Sequence, residues 1–179
     1  MCPKITLTKS KLSLTRGALY PTRAYKVTNN ELLNIEGKNP VVANSGFNNG
    51  VIGFTNFDCT EKAGIITFTD TAAKSSDSFF YQANDFVGYP HVQGMYCKSH
   101  ILNEYEGKYI TTLLRSKAGK FDFISKMTRG IVSDFLIKLP ITSTGEPDWQ
   151  YMENYMKAII KESEINLENL KIIDRLVVK

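Results

Sequence analysis

Over the first hundred positions, apolar residues fall in short clusters separated by asparagine and glycine. Val41-Val42-Ala43, Val51-Ile52-Gly53-Phe54, Ile65-Ile66-Thr67-Phe68 and Phe79-Phe80-Tyr81 are rich in β-branched and aromatic side chains and predict strands. Asn29-Asn30, Asn48-Asn49-Gly50, Gly64, Gly88 and Gly94 punctuate them, and Asn49-Gly50 before Val51 predicts a tight turn with positive φ. From Glu104 the period changes. Tyr105, Tyr109, Thr112, Leu113 and Ser116 recur every three or four residues, which predicts a helix over Glu104 to Lys117 ending at Gly119.

Residues 131–137, then Lys138-Leu139-Pro140-Ile141, read as apolar and extended, and 142–147 as a polar turn. Pro147 and Asp148 suit the start of a final helix, where a missing N–H costs nothing and a negative charge meets the helix dipole. That helix carries Trp149, Met152, Met156, Ile159, Ile160 and Ser163 on one side and continues through Leu167, Leu170 and Ile173, with Asn166 expected to divide it. A stripe of this spacing packs on its own domain or on a partner, and periodicity alone leaves both open.

Strands first and helices afterwards make the fold class α+β: one compact β-rich domain with a few helices, then a C-terminal helix able to pair as a coiled coil. With 179 residues the chain has room for one domain over 1–145 and an appended helical segment over 146–179, but not for two catalytic domains. The odd set Cys2, Cys59 and Cys97, far apart in sequence, argues against a disulfide framework and for a reducing compartment. No apolar run reaches signal-peptide or membrane-span length, so the expected location is cytoplasmic, without a membrane partner.

A net charge of +4 decides little, but its distribution is uneven. Lys4, Lys9, Lys11, Arg16, Arg23 and Lys26 precede the first acidic residue, Glu31. Lys108, Arg115, Lys117, Lys120, Lys126 and Arg129 share their stretch only with Asp122. Clustered charges of one sign can focus a field that attracts nucleic acid, although a solvated face is the commoner reason for such a run.

Catalytic signals are sparse. His91, Cys97 and His100 lack a fourth metal ligand and any zinc-site spacing, and no cofactor is expected. Glu106-Gly107-Lys108, with Asp85 upstream, matches the acid-x-Lys pattern of metal-dependent nucleases, but Glu36-Gly37-Lys38 repeats the triplet by chance. No glycine-rich phosphate loop occurs. Polar segments remain: Thr67 to Thr71 leading into Lys74-Ser75-Ser76, and Tyr89 to Gln93. Their hydroxyls and amides suit phosphate oxygens and base edges, and equally suit ordinary turns.

Three pieces of this sequence resemble the target recognition domain of DNA specificity (S) subunits of restriction-modification systems, of type I and the related IIB and IIG kinds. They are Asn44 to Phe54 with its Asn-Gly-Val-x-Gly ending; Ile66 to Thr71 with Phe79 to Gln82 and Asp85 to Tyr96; and Ile137 to Pro140 with Gly145 to Lys157. The resemblance runs from about residue 30 to 160. Such subunits usually hold two recognition domains separated by long helices. This chain has one of each, so it resembles a half-subunit, a product truncated between its halves, or part of a larger fusion. Phe121-Asp122-Phe123 stands where members often show Tyr-Gly.

The resemblance implies a non-catalytic protein that reads double-stranded DNA and delivers a methyltransferase (modification) subunit. Asn48, Asn49, Thr69, Thr71, Lys74, Ser75, Ser76, His91 and Gln93 would then read bases, while Arg23, Lys26, Lys117, Lys120, Lys126 and Arg129 bind phosphates. Met152, Met156, Ile159, Ile160, Leu167 and Leu170 would pair two copies into a homodimer. Two other readings stand beside it: a small metal-dependent nuclease using Asp85, Glu106 and Lys108, and a protein-interaction module with no affinity for DNA.

Overall fold

The computed structural model describes residues 7–8, 19–71, 75–97, 100–119, 121 and 127–177. In chain order the elements are β1 (Leu7–Thr8), β2 (Leu19–Pro21), α1 (Asn29–Leu32), β3 (Asn39–Val42), β4 (Val51–Thr55), β5 (Ile65–Thr69), β6 (Phe80–Gln82), β7 (Val87–Gly88), β8 (Val92–Met95), α2 (Glu104–Ala118), α3 (Arg129–Ser133), β9 (Leu139–Pro140) and α4 (Trp149–Val177). Short 3-10 turns cover Asn48–Gly50 and Ser75–Ser78. The fold is α+β.

The strands form a sheet of order β2-β8-β5-β6, a second of order β4-β3-β7 and a two-stranded pair β1-β9. All pairings are antiparallel except β3 with β7. β5 explains why one run of sequence is almost continuously apolar, since all five of its residues are buried. Side chains alternate across a strand. Ile66 and Phe68 enter the main core with Phe79, Met95, Ile110, Leu114 and Met152, while Ile65 joins Val42, Phe86 and Val92 in a smaller one.

α2 begins with a reciprocal cap that satisfies three N–H groups of its first turn. The Asn103 side chain accepts from the N–H of Tyr105 and Glu106, and Glu106 reaches back to the N–H of Asn103. Its buried face, Glu106, Gly107, Ile110, Thr111, Leu114 and Ala118, lies on the β2-β8-β5-β6 sheet. Gly107 is obligatory there because a Cβ would overlap the Tyr81 ring.

α3 corrects the expectation that residues 131–137 are extended throughout. The Thr128 hydroxyl accepts from the Ile131 N–H and starts a turn of helix that the apolar run conceals. Residues 142–146 form the expected polar turn, with Thr142 N–H donating to Glu146 O and Gly145 at φ +86°. Asp148 then caps α4 by accepting from the Tyr151 N–H.

α4 runs through Asn166 unbroken, contrary to the sequence expectation. A mid-helix asparagine costs only a few tenths of a kcal/mol, roughly, which good helix formers on both sides offset. Its first turns belong to the domain: Met152 is wholly buried and Trp149 packs on the same core. Met152 is therefore a core residue, which corrects its place among the partner-facing side chains. Every residue from 161 to 175 is exposed.

Candidate functional site

Three polar segments meet around Asp70 and Thr71. The first connects β3 to β4: Asn44 donates its side-chain N–H to the Thr71 hydroxyl at 3.3 Å, and Gly46 lies against Asp77. The second follows β5, where the hydroxyls of Thr69 and Thr71 share a 3.0 Å hydrogen bond. The third is the turn before β8. There His91 Nδ1 lies 3.7 Å from one Asp70 oxygen, and Gln93 Nε2 approaches the other at 3.5 Å.

The sheet explains the convergence. Antiparallel pairing sets Phe68 opposite Gln93 and Thr69 opposite Val92, so the chain leaving β5 and the chain entering β8 share one rim. The buried atoms Gln93 Oε1 and Asp70 Oδ1 have no hydrogen-bond partner among the described residues. His91 carries a left-handed backbone, φ +68°, which is uncommon for a residue with a side chain and holds the imidazole outward.

Asn48 and Asn49, neighbours in sequence, have different surroundings. Both adopt positive φ, as the Asn-Gly signal predicts. Asn49 Nδ2 donates to Tyr81 O at 2.9 Å and to Gln82 Oε1 at 3.2 Å, and Gln82 Nε2 returns a bond to Asn49 O. It bolts the loop to β6. Asn48 is exposed, and its side chain makes no hydrogen bond among the described residues.

The other expected DNA-contacting residues divide in the same way. Thr69 and Gln93 are buried and hold the rim from below, whereas Thr71 and His91 are exposed on it. Lys74, Lys120 and Lys126, and the side chains of Ser75 and Ser76, lie outside the described residues. Lys26, Lys117 and Arg129 are exposed, the last two at the end of α2 and the start of α3.

Arg23 is exposed but anchored. Its Nε donates to Glu61 Oε1 at 3.2 Å, its Nη2 to Thr60 O, and its backbone N–H to the same carboxylate at 2.8 Å. Buried Glu61 also accepts from the Tyr96 hydroxyl at 2.6 Å. Burial, then that bond to a carboxylate, push the Tyr96 phenol far above its ordinary value. Nothing in the sequence connects Arg23, Glu61 and Tyr96; they flank β2, β5 and β8, and the pairing of β8 with both other strands brings them together.

The acid-x-Lys set is dispersed. Glu106 caps α2 and lies 2.7 Å from His100 Nε2, Lys108 pairs with Glu104 one turn away, and Asp85 pairs with Lys62 at 2.7 Å. The Lys62 ammonium and then the Ala63 N–H hold the Asp85 carboxyl below its ordinary value. Among the described residues no three of His, Cys, Asp or Glu gather as metal ligands. The triplet is a helix cap followed by a close-contact glycine, and nothing among the described residues supports the nuclease reading.

On α4, Met156 turns toward a cleft of about 550 Å³ lined by Asn49, Tyr81, Lys108 and Arg115. Ile159, Leu167 and Leu170 are exposed and Ile160 is half-buried, in a stretch that also exposes Ile165, Ile172 and Ile173. No helix among the described residues is long and apolar enough to cross a membrane.

The family described as the type I restriction modification DNA specificity domain matches residues 21–169. The fold is similar to the crystal structure of a type I restriction-modification system S subunit from M. genitalium, with a TM-score of 0.57 and 12% identity. The match covers 87% of this chain and 40% of that one. No curated protein matches the chain.

Proposed function

The chain belongs to the type I restriction modification DNA specificity domain family, and on that premise we propose that it reads a double-stranded DNA sequence and directs a methyltransferase subunit to it. The observation that carries this is the meeting of three polar segments at Asp70 and Thr71. Exposed hydroxyl, amide and imidazole groups on a fixed rim are the groups that pair with base edges. Thr71, His91 and Asn48 are the base readers. Thr69, Gln93 and Asn49 hold them in place.

Lys26, Lys117 and Arg129, with the basic residues around them in sequence, neutralise phosphates and fix orientation without selecting bases. Catalysis belongs to the delivered subunits, the methyltransferase and any nuclease that the assembly carries. The recognition domain occupies residues 1–145. The segment 146–179 pairs two copies through Met156, Ile159, Ile160, Leu167 and Leu170, so that the homodimer reads a two-part site. This assembly works in the cytoplasm, where its DNA is.

The test is selection of bound duplexes from a random pool at low and near-physiological salt, with and without the methyltransferase subunit. Enrichment of a short motif, repeated in inverted orientation at fixed spacing, is the expected result. Bulk, salt-sensitive binding with no enriched motif under any condition overturns the reading.

A further inference from the structure

Three apolar side chains among the described residues are more than four-fifths exposed: Ile35, Phe47 and Ile101. Ile35 sits with Ile52 and Phe54 beside β4, and Ile101 lies against Gly64 before β5. Phe47 alone stands on the β3–β4 loop, between Asn44, which bonds Thr71, and Asn49, which bonds β6. Single exposed apolar residues are common on protein surfaces, so exposure alone says little. The loop's construction says more.

Every polar backbone atom of Phe47 is occupied. Its N–H donates to Ser45 Oγ at 3.1 Å, and its carbonyl accepts from the Ser45 hydroxyl and from the Gly50 N–H at 2.8 Å. Asn48, Asn49 and Gly50 follow with φ of +49°, +57° and +79°, a left-handed turn that only asparagine and glycine enter readily. The Ala43 N–H closes the loop on Gly50 O at 2.9 Å. The loop is bonded to itself on both sides of Phe47, and its phenyl ring stands 81% exposed. Asn44, Ser45 and Asn48 lie beside it in sequence, and Asn44 bonds the Thr71 hydroxyl.

We propose that Phe47 is a specificity-determining residue that packs its ring against the C5-methyl group of a thymine in the major groove, with the Asn48 amide beside it taking the N6 and N7 edge of an adenine. The inference rests on the DNA-reading function proposed above. Thymine is the one base that offers a methyl group to an apolar side chain in that groove, and an amide matches adenine there. An intercalating wedge is the other use of an exposed ring. Wedges work from the minor groove, where an amide reads only A·T against G·C, and removing a thymine methyl group, which lies in the major groove, leaves such binding unchanged.

The experiment starts from the motif selected with the wild-type protein. Each thymine of the motif is replaced in turn by deoxyuridine, which removes only the methyl group, and binding is measured by fluorescence anisotropy at fixed salt for wild type and Phe47→Ala. One replacement should weaken wild type roughly fourfold, the worth of one buried methyl group. The same replacement should leave Phe47→Ala unchanged, because the contact is already gone.

Equal losses for both proteins at every thymine, or no loss for wild type anywhere, overturn the proposal, as does a motif without thymine. A Phe47→Ala defect that is blind to every methyl group but abolishes DNA bending would make the ring a wedge and overturn it too. A matching thermal midpoint for the two proteins confirms that the variant is folded. Failure of wild type to select any motif is a different result, since it removes the DNA-reading function itself.

Discussion

The imidazole of His100 lies flat against the indole of Trp149, with ring centroids 4.3 Å apart and planes 12° from parallel. One ring precedes α2 and the other opens α4, so the stack joins the strand-rich part of the chain to its last helix. Asn103 strengthens the joint by donating to Glu153 at 3.1 Å while it caps α2. A double-mutant cycle of His100→Ala and Trp149→Ala should give a coupling of about 1 kcal/mol, the usual worth of a stacked pair. Additive losses in urea unfolding would show that the rings touch without supporting each other.

Gly107→Ala should destabilise the protein by about 1–3 kcal/mol or more, because the added methyl group has to displace the Tyr81 ring or part α2 from β6. Denaturant unfolding measures this directly. Glu106→Gln should also lower stability in the same assay, because its carboxylate accepts from the Asn103 N–H and lies 2.7 Å from His100 Nε2.

Lys117→Ala and Arg129→Ala should each lower the slope of log affinity against log salt by about one, without changing the selected motif. His91→Ala should do the reverse, relaxing preference at one position while the slope stays within error. Anisotropy titrations at four salt concentrations separate the two behaviours. A motif altered by Lys117→Ala would move that residue from the phosphates to the bases.

Asp85 gives a pH dependence whose sign is fixed by its partners. The Lys62 ammonium and the Ala63 N–H favour the carboxylate, so its folded value lies below the unfolded one. The stabilisation is therefore complete above the ordinary aspartate value, roughly 4, and is lost as pH falls through the lower folded value. Asp85→Asn should reduce neutral-pH stability slightly, because the pair is exposed, and should flatten the acid limb of the melting curve. Melting temperatures between pH 7 and pH 2.5 provide the comparison.

Leu170→Glu should convert any dimer to monomer without shifting the melting temperature of the recognition domain, because Leu170 is 63% exposed and touches no core. Met152→Ala should do the opposite and cost about 2–5 kcal/mol, as truncations at fully buried sites do. Sedimentation equilibrium over a range of concentrations distinguishes them.

Much of the fold was legible because local chemistry and burial agreed. Val41-Val42, Val51 to Phe54, Ile65 to Phe68 and Glu104 to Lys117 carry clear periods, and each lies in the expected kind of element. Asn49-Gly50 turns where a positive φ is cheapest. β7 and β8 escaped a reading from period alone because Val87-Gly88 and Val92-Gln93-Gly94-Met95 are buried on both faces and carry no alternation. The short α3 hid in an apolar run because its signal is one hydroxyl, Thr128.

The candidate site was legible in its parts but not in its division of labour. Sequence chemistry treats Asn48 and Asn49 alike, and Thr69 and Thr71 alike. Asn49 differs from its equally exposed neighbour by its bonds to Tyr81 and to Gln82, thirty-odd residues away, and Thr69 is buried by the register that sets it opposite Val92. Phe47 lies in the Asn44 to Phe54 segment, but its residue type does not say whether the ring points in or out; its exposure of 81% does.

α4 is also a ruler. Its 29 residues at about 1.5 Å each span roughly 43 Å, and the near end is bolted down by Met152 and Trp149. Each residue inserted into the exposed half pushes everything beyond it forward by about 1.5 Å and rotates it by about 100°. Most insertions therefore turn the apolar stripe away from whatever it faces. Seven residues bring the stripe back to within about 20° and add roughly 10 Å, close to the rise of three base pairs. Eleven residues do the same and add roughly 16 Å, so only insertions near such lengths keep the exposed stripe on one side of the helix.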